Sequence, residues 1–252
     1  MAAAYDSYDY PSYWIGRDYE HLSEISVIKD LLTRVKKIKT ILEIGSGFGR
    51  LVPFYSYRAK KIILSDPSTK LLGMSKEVNR NKKKFKFIRS TLENLPKKIR
   101  PNSIDLIILV RVIHHLENVE DAFKLIRRFL KPNGYFLLEF ANKANSKATI
   151  KNILKGNFVF PLDIFTTDLR SLKSIKNKSL PFFNYHPHLI KKLLNNYKFE
   201  IIDIRSASNT RSQILKKLFS VDFLLYIEKL FQRLFSLIYF GPSIFVLSRK
   251  RG

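Results

Sequence analysis

The stretch Ile41-Leu-Glu-Ile-Gly-Ser-Gly-Phe-Gly-Arg50 decides the fold of this chain. An apolar run leads directly into glycines at every second position, Gly45, Gly47 and Gly49. This pattern predicts a buried strand that turns sharply toward a helix, at a place where no side chain blocks the approach of a ligand. We interpret it as a nucleotide-type binding turn, which needs further strands and an acidic residue from elsewhere in the chain.

Composition sets the size of the core and excludes several chemistries. The chain has 252 residues, of which 45% are apolar, and can bury one large core. It contains no cysteine, which excludes disulfides, thiolate metal sites and cysteine nucleophiles. We predict one domain with insertions and no metal site.

Aromatic residues crowd the N-terminus, namely Tyr5, Tyr8, Tyr10, Tyr13 and Trp14. Such side chains can fold over a ligand or pad the edge of a sheet, and the sequence leaves both readings open. The first 14 residues lack the apolar run of a secretory signal. We therefore expect a cytoplasmic protein.

The charge balance is strongly basic, with 46 Lys and Arg against 21 Asp and Glu and a net charge of +25. A charge of this size attracts polyanions or an anionic membrane surface. The excess can equally be ordinary solvated surface, because it consists mostly of Lys. Charge alone therefore leaves membrane and nucleic-acid partners open.

Strands and helices alternate along the chain, which predicts a parallel sheet with helices on both faces. The strands predicted after the glycine turn are Lys61–Ser65, Phe85–Arg89, Ser103–Val110, Tyr135–Phe140, Phe199–Ser206 and Ser243–Arg249, with a turn at Lys131–Gly134. The predicted helices are Tyr19–Lys37, Leu51–Ala59, Thr69–Arg80, Val119–Leu130 and His186–Tyr197.

Two segments interrupt this alternation. Ala141–Phe183 carries eight basic and two acidic residues and is predicted to be an inserted cap. Arg211–Phe240 is predicted to be an amphipathic helix, broken once, because its apolar residues recur every three or four positions while Asp222, Lys229 and Arg233 share another face. Charged residues keep its apolar runs too short to span a bilayer.

The glycine turn has the spacing Glu43-x-Gly45-x-Gly47-x-Gly49, which differs from the Gly-x-Gly-x-x-Gly of nicotinamide dehydrogenases. Together with Asp66 at the end of the next strand, it resembles the S-adenosylmethionine-dependent methyltransferases of the class I, seven-stranded, Rossmann-like type, with a type 11-like domain. Three further segments are similar to this family in order and distance: Leu92–Pro96, Ile104–Leu116 and Leu130–Phe136. The similarity covers 39–140 and returns at 199–249 as the closing antiparallel strands.

The resemblance implies an α/β fold with a doubly wound, mostly parallel seven-stranded sheet, an antiparallel final strand and a helical cap formed by inserts. We expect a single methyltransferase domain over 1–252. Its parts are an N-terminal lid and helix (1–37), the cofactor-binding core (38–140), the basic insert (141–185) and a closing part (186–252) with the amphipathic insert 211–240.

The resemblance also implies S-adenosyl-L-methionine as the cofactor. Gly45, Ser46 and Gly47 would lie close to its methionine and ribose parts, and Glu43 would accept from its ammonium group. Asp66, followed by Pro67, would accept from both ribose hydroxyls. The alternative for Asp66 is a helix cap, because Asp-Pro-Ser also starts a helix well.

Two further cofactor contacts depart from the usual pattern. Relatives place an acid near the adenine amino group, whereas this chain has Thr91, followed by Leu92. A hydroxyl accepts that hydrogen bond more weakly than a carboxylate. Arg111 is predicted to line the methionine pocket, through its main-chain carbonyl more than through its charge.

His114 and His115 are the predicted catalytic bases, because an oxygen or nitrogen acceptor must lose a proton. The alternative is that they pack or cap the helix beginning near Asn118. His186 and His188 are weaker candidates, because a helix-starting turn explains them.

The basic insert and the segment 211–240 are predicted to choose the acceptor. Basic residues beside an apolar helical face suit peripheral membrane contact and a small lipophilic or lipid-linked acceptor. The alternative is that the apolar stripe packs on its own domain. An RNA methyltransferase also stays open, although the loop after the fourth strand lacks the Asp/Asn-Pro-Pro-aromatic motif of base-amino methylators. A non-catalytic binding module is disfavoured by the intact Glu43, Gly45, Gly47 and Asp66.

Overall fold

Nine strands are present in the computed structural model, which describes residues 4–6, 9–36, 38–79, 83–176 and 179–252. They are β1 (Thr40–Ile44), β2 (Lys61–Asp66), β3 (Phe85–Arg89), β4 (Ile104–Leu109), β5 (Leu130–Ala141), β6 (Thr167–Asp168), β7 (Phe183–Asn184), β8 (Phe199–Ala207) and β9 (Ser243–Lys250). The predictions at Tyr8, Lys37 and Arg80 fall outside the described residues.

Seven of these strands form one sheet in the order β3-β2-β1-β4-β5-β9-β8. The pairs from β3 through β5 are parallel, and β9 is antiparallel to both β5 and β8. Within the described part of the chain, β9 alone runs against the other six strands of the sheet. The predicted seven-stranded, mostly parallel sheet with an antiparallel final strand is therefore confirmed.

The central strands are apolar on both faces because helices cover both sides of the sheet. Along β4, Ile107 and Leu109 join a core layer with Phe123, whereas Leu106 and Ile108 join the opposite layer. Successive side chains point to opposite faces, so the continuous apolar run supplies both layers at once.

The helices are α1 (Asp18–Thr33), α2 (Val52–Tyr55), α3 (Thr69–Asn79), α4 (Val119–Phe129), α5 (Ser146–Ile153), α6 (Leu172–Lys176), α7 (Pro187–Asn196), α8 (Gln213–Leu218) and α9 (Val221–Leu237). Short 3₁₀ turns occur at Ala4–Asp6, Pro11–Trp14, Ser56–Arg58, Leu95–Lys97, Ile113–His115 and Phe160–Leu162. Among the described residues, none of the helices is both long and apolar enough to cross a membrane.

Two sequence predictions differ from the structure in detail. The helix predicted over Leu51–Ala59 is only the four residues of α2 and a 3₁₀ turn, because the backbone leaves helical geometry at Tyr55 (φ −131°), whose buried side chain contacts Glu43. The turn predicted at Lys131–Gly134 is a bulge inside β5, between the Ile104–Leu130 and Leu106–Tyr135 pairs. The predicted break in 211–240 lies between α8 and α9, where the Ser220 side chain accepts from the Phe223 amide.

Candidate functional site

A cleft of about 340 Å³ opens at the carboxyl ends of the central strands. β1 lies between β2 and β4, so the order of the strands reverses there. Open α/β sheets bind ligands in the crevice outside the strand ends at such a point. The predicted site residues that line the cleft are Gly45, Gly47, Asp66, Pro67, Thr91, Leu92, Arg111 and His115. Glu43 and Ser46 border a small adjoining cavity, and His114 is buried behind His115.

The glycine turn has a backbone that other residues rarely adopt. Gly45 and Gly47 have φ values of 71° and 52°. A Cβ on Gly45 would lie 2.2 Å from Val112 Cγ2, whereas the same position on Gly47 meets nothing closer than 3.9 Å. Gly45 therefore permits close packing against the segment after β4. Gly47 leaves space in the cleft that a side chain would fill. Ser46 Oγ, between them, is buried and has no hydrogen-bond partner among the described residues.

Asp66 ends β2 at the floor of the cleft. Its Oδ2 accepts from the Gly47 amide at 2.8 Å, and its Oδ1 accepts from the Ser68 amide at 2.8 Å. The carboxylate thus fixes the glycine turn and the Asp66–Ser68 turn, whereas Ser68 Oγ, which accepts from the Leu71 amide at 3.1 Å, caps α3. Because each carboxylate oxygen has a further lone pair, hydrogen bonds to ribose hydroxyls remain available. Burial raises the pKa of this group.

Glu43 is buried beneath the turn, and its Oε2 accepts from the Tyr55 hydroxyl. Burial raises the pKa of Glu43 to about 7, although the hydrogen bond from Tyr55 acts in the opposite direction. A cation placed beside this carboxyl group would favour its ionised form. The small cavity that it borders with Gly45 and Arg111 has a volume of about 30 Å³.

A buried ion network lies next to this cavity. Glu24 of α1 accepts from Arg50 at 2.6 Å and from Arg111 Nε and Nη2 at 2.7 and 2.6 Å. Burial alone would raise the pKa of Glu24, but the guanidinium groups of Arg111 and Arg50 outweigh it and lower the pKa. The Trp14 ring covers both guanidinium groups, at 3.6 Å from Arg50 and 4.7 Å from Arg111. The charge of Arg111 is therefore turned inward, away from the cleft.

Sequence analysis missed Glu24, and its position carried a usable signal. Glu24 lies four residues before Ile28 and seven before Leu31, which places it on the buried face of an amphipathic helix. A buried acid needs a partner, and Arg50 at the end of the glycine turn was available in the sequence.

The main chain of Arg111 is also held, at φ 59°, because its amide donates to the buried Glu139 at 2.8 Å.

Thr91 and Leu92 form the wall opposite the glycine turn. Thr91 is exposed and its Oγ1 accepts from Asn94 at 3.2 Å, whereas Leu92 is buried and apolar. The wall therefore offers a flat apolar surface and weak hydrogen-bonding groups, which suits the edge and face of an aromatic base.

His115 faces the cleft between two oxygen atoms. Its Nδ1 lies 2.7 Å from the Pro181 carbonyl and its Nε2 lies 2.7 Å from the Tyr5 hydroxyl. Because a carbonyl can only accept, Nδ1 carries the proton and Nε2 accepts. Burial lowers the pKa of His115, which keeps the ring neutral near pH 7.

His114 is buried against His115 and Phe182, with ring centroids 4.1 and 4.7 Å apart. Its Nδ1 has no partner within the described chain, and burial holds its pKa well below the ordinary value. The helix-capping alternative does not apply to either histidine, because the Asn118 side chain itself caps α4 by accepting from the Asp121 amide at 3.0 Å.

Two of the N-terminal aromatic residues lie at the cleft, as the first of the two predictions for them has it. Tyr5 and Tyr10 line the cleft, with ring centroids 5.3 Å apart. Asp6 fixes this segment by accepting from Ser68 Oγ at 2.6 Å. The N-terminal residues thus contact both the floor and the histidine side of the cleft.

His186 and His188 lie outside the cleft. His186 Nδ1 accepts from the His188 amide at 3.2 Å at the start of α7, and its Nε2 lies 3.0 Å from the Pro161 carbonyl. His186 therefore caps α7 and holds the insert at Pro161. This agrees with the helix-starting turn predicted from the sequence.

Comparisons with known proteins agree with this geometry. Residues 42–138 match the family model described as a methyltransferase domain. The Saccharomyces cerevisiae protein named "Probable S-adenosylmethionine-dependent methyltransferase CRG1" is 33% identical over 105 residues, which are 40% of this chain and 35% of the yeast protein. The aligned part thus spans about a third of that relative's length.

Two solved structures share the fold. The S-adenosylmethionine-dependent methyltransferase of Mesorhizobium loti has a TM-score of 0.60 at 16% identity, over 90% of this chain and 98% of that one. The N-methyltransferase NodS of Bradyrhizobium japonicum, solved with S-adenosyl-L-homocysteine, has a TM-score of 0.61 at 13% identity, over 98% and 95% of the two chains. Residues 42–138 are thus a methyltransferase domain, and the chain has the class I, Rossmann-like fold that these S-adenosylmethionine-dependent methyltransferases share.

Proposed function

We propose that the chain transfers a methyl group from S-adenosyl-L-methionine to an oxygen, nitrogen or carbon atom of a small lipophilic or lipid-linked acceptor. The observation that carries the proposal is the cleft itself, which two groups of residues line: the glycine turn with Asp66, next to the cavity that Glu43 borders, and His115 with Leu116. The first group suits a polar, cationic cofactor, and the second suits an apolar acceptor with an ionisable atom.

The residues present fit this cofactor on structural grounds. The turn offers a ligand two polar groups, the unpartnered Ser46 hydroxyl and the buried carboxyl of Glu43. It also offers space next to Gly47, which has no side chain. When bound, the cofactor supplies a methyl group that its sulfonium makes electrophilic. The protein then has to align the acceptor and exclude water, and Tyr5 and Tyr10 over the cleft serve the second task.

In this proposal, the proton that the acceptor loses is taken up by His115, which His114 packs against. The neutral His115 can receive it at Nε2 if the Tyr5 hydroxyl moves aside or relays it. The Pro181 carbonyl fixes the opposite nitrogen and so keeps Nε2 as the basic atom.

Apolar residues at the mouth of the cleft support a lipophilic acceptor. Leu180 lines the cleft and is 40% exposed, and Phe182 packs on both histidines. Both belong to the end of the basic insert, so the insert reaches the place where an acceptor would enter.

Isothermal titration calorimetry with S-adenosylmethionine, S-adenosylhomocysteine and NAD tests the cofactor assignment. We expect binding of the first two and none of NAD, and tighter binding of NAD would overturn it. Incorporation of labelled methyl groups into organic-solvent extracts of a cell lysate then tests the acceptor class.

RNA is the second candidate acceptor, and the net charge of +25 favours it. Methyl incorporation that disappears on ribonuclease treatment, together with steep salt dependence of RNA binding, would establish it in place of the lipophilic acceptor.

A further inference from the structure

Helix α9 buries mostly polar residues and exposes apolar ones, the reverse of an ordinary surface helix. Its buried residues, spaced four apart, are Leu224, Glu228, Gln232 and Ser236, of which three are polar. Glu228 is 1% exposed and accepts from the Tyr19 hydroxyl at 2.6 Å and from Ser23 Oγ at 2.8 Å. The polar face of α9 is thus held against α1 by hydrogen bonds, while a row of its apolar residues is exposed on the opposite side.

The outward face of α9 is a continuous apolar stripe, which we call the outer stripe. It consists of Phe223, Tyr226, Leu230, Leu234 and Leu237. These residues are spaced by three or four positions, which places them on one side of the helix, and each is 47–72% exposed. α8 adds Ile214 and Leu218, at 70% and 68% exposure. The alternative, in which the apolar stripe packs on its own domain, is therefore wrong for α9.

Cations flank the outer stripe. Lys229 and Arg233 are exposed one helical turn apart on the same flank, and Lys217 is exposed on α8. Asp222 is the one exposed acid between residues 213 and 238.

A basic cleft of about 810 Å³ opens beside α8. Its lining includes four cations, Arg17, Lys147, Arg211 and Lys216, and one acid, Glu20. Glu20 is already occupied, by Lys216 at 2.6 Å and Arg211 at 3.3 Å. The cleft therefore keeps an excess of positive charge next to exposed apolar side chains.

We propose that the outer stripe and α8 dock on the surface of an anionic lipid bilayer, with the apolar side chains in the acyl–headgroup boundary and the flanking cations on lipid phosphates. An interfacial helix of this kind combines buried apolar area with attraction to anionic lipids. The proposal does not rest on methyl transfer, although a bilayer would also bring lipophilic acceptors to the protein.

Charge favours a bilayer over a second copy of this chain. Two copies packed through the outer stripe would bring two molecules of net charge +25 together, and a twofold interface would repeat Lys229 and Arg233 on both sides. An anionic bilayer instead offers an apolar interior and negative charge at the same surface.

Vesicle flotation of the full chain, without cofactor, tests the proposal. We expect binding to phosphatidylcholine–phosphatidylglycerol vesicles, weak binding to pure phosphatidylcholine, and loss of binding as ionic strength rises from about 0.1 M to about 1 M, where the screening length falls from about 10 to about 3 Å. Replacing Leu230→Gln and Leu234→Gln should weaken binding about tenfold or more, because two leucines lose their apolar contact with the lipid.

Matched controls lie at the other end of the sheet. Met74→Gln with Val78→Gln alters two exposed apolar residues one turn apart on α3 and should leave binding unchanged. Lys229→Gln with Arg233→Gln should lower binding to anionic vesicles by about tenfold, on the scale of two cations near a charged surface, whereas Lys60→Gln with Lys86→Gln should not.

Three outcomes would overturn the proposal: equal binding to neutral and anionic vesicles, equal loss in the α9 and α3 variants, or no flotation at all. Light scattering coupled to size-exclusion chromatography tests whether a second copy of the chain occupies the outer stripe instead. A dimer that the Leu230→Gln, Leu234→Gln variant converts to a monomer would assign the stripe to a second copy instead. Methyl-transfer activity enters none of these readouts, so failure here leaves the proposed function standing.

Discussion

The cofactor cleft and the α8–α9 segment bury their acids in opposite surroundings. Next to the cleft, Glu24 is neutralised by two guanidinium groups, those of Arg50 and Arg111. In the α8–α9 segment, Glu228 is held by uncharged donors from Tyr19, Ser23 and Asn209. The first arrangement fixes a binding turn, whereas the second uses the inner face of a helix for polar contacts and leaves its apolar residues outside.

The largest effect expected from this difference is on stability. Glu24→Gln leaves two buried guanidinium groups without their counter-charge and should lower the free energy of unfolding by about 3–5 kcal/mol. Glu228→Gln loses hydrogen bonds from neutral donors and should cost about 1–3 kcal/mol. Urea denaturation at pH 7 measures both. Equal losses would show that the two acids are held in equivalent ways and would break the comparison.

The pH dependence of stability should single out Glu43. Its pKa is about 7 in the folded chain, against an ordinary value near 4.3 in the unfolded chain. Between these values the folded state binds more protons, so this group's stabilising contribution is complete below about pH 4 and is lost as pH rises to about 7. The loss should amount to about 3–4 kcal/mol.

The difference in unfolding free energy between wild type and Glu43→Gln, followed from pH 4 to pH 8, isolates this contribution from the other carboxyl groups. A constant difference across that range would mean that the pKa of Glu43 is the same in the folded and unfolded chains.

Asp66→Ala should weaken S-adenosylmethionine binding by about 1.5–3 kcal/mol, the scale of hydrogen bonds to a charged group. The variant also removes the acceptor of the Gly47 and Ser68 amides. Calorimetry on Asp66→Asn, which retains one carbonyl oxygen, separates loss of ribose contacts from loosening of the turn. Unchanged affinity in both variants would contradict the ribose assignment.

The core of the fold was predictable because its signals are local. Mostly apolar runs gave β2 and β4 to within about a residue, since strands buried on both faces hold few polar positions. Gly45 and Asp66 were found because a positive φ and an acid at a strand end each leave a mark on a few adjacent residues. The early end of α2 could not be predicted, because Tyr55 leaves the helix to reach Glu43. Helical periodicity carries no information about such a contact.

The rest depended on contacts between distant residues. Nothing near His115 in the sequence indicates that Tyr5, 110 positions away, would lie 2.7 Å from its ring. Likewise, periodicity showed that 211–240 is amphipathic but could not tell which face turns inward. That choice follows from Tyr19 and Ser23, more than 200 residues earlier, which bind Glu228.

The smallest effect is expected at an exposed leucine of α9, and its contrast with a buried leucine tests which face of that helix is covered. Leu224 and Leu230 lie on the same helix, but the first is 2% exposed and the second 57%. Leu224→Ala should therefore cost about 2–5 kcal/mol of unfolding free energy through the cavity that it leaves. Leu230→Ala should change it by no more than about 0.5 kcal/mol, as expected for a surface position. Thermal and urea unfolding of the two variants in lipid-free buffer measure this contrast directly. A loss at Leu230 comparable to that at Leu224 would mean that the outer stripe is covered by protein in solution.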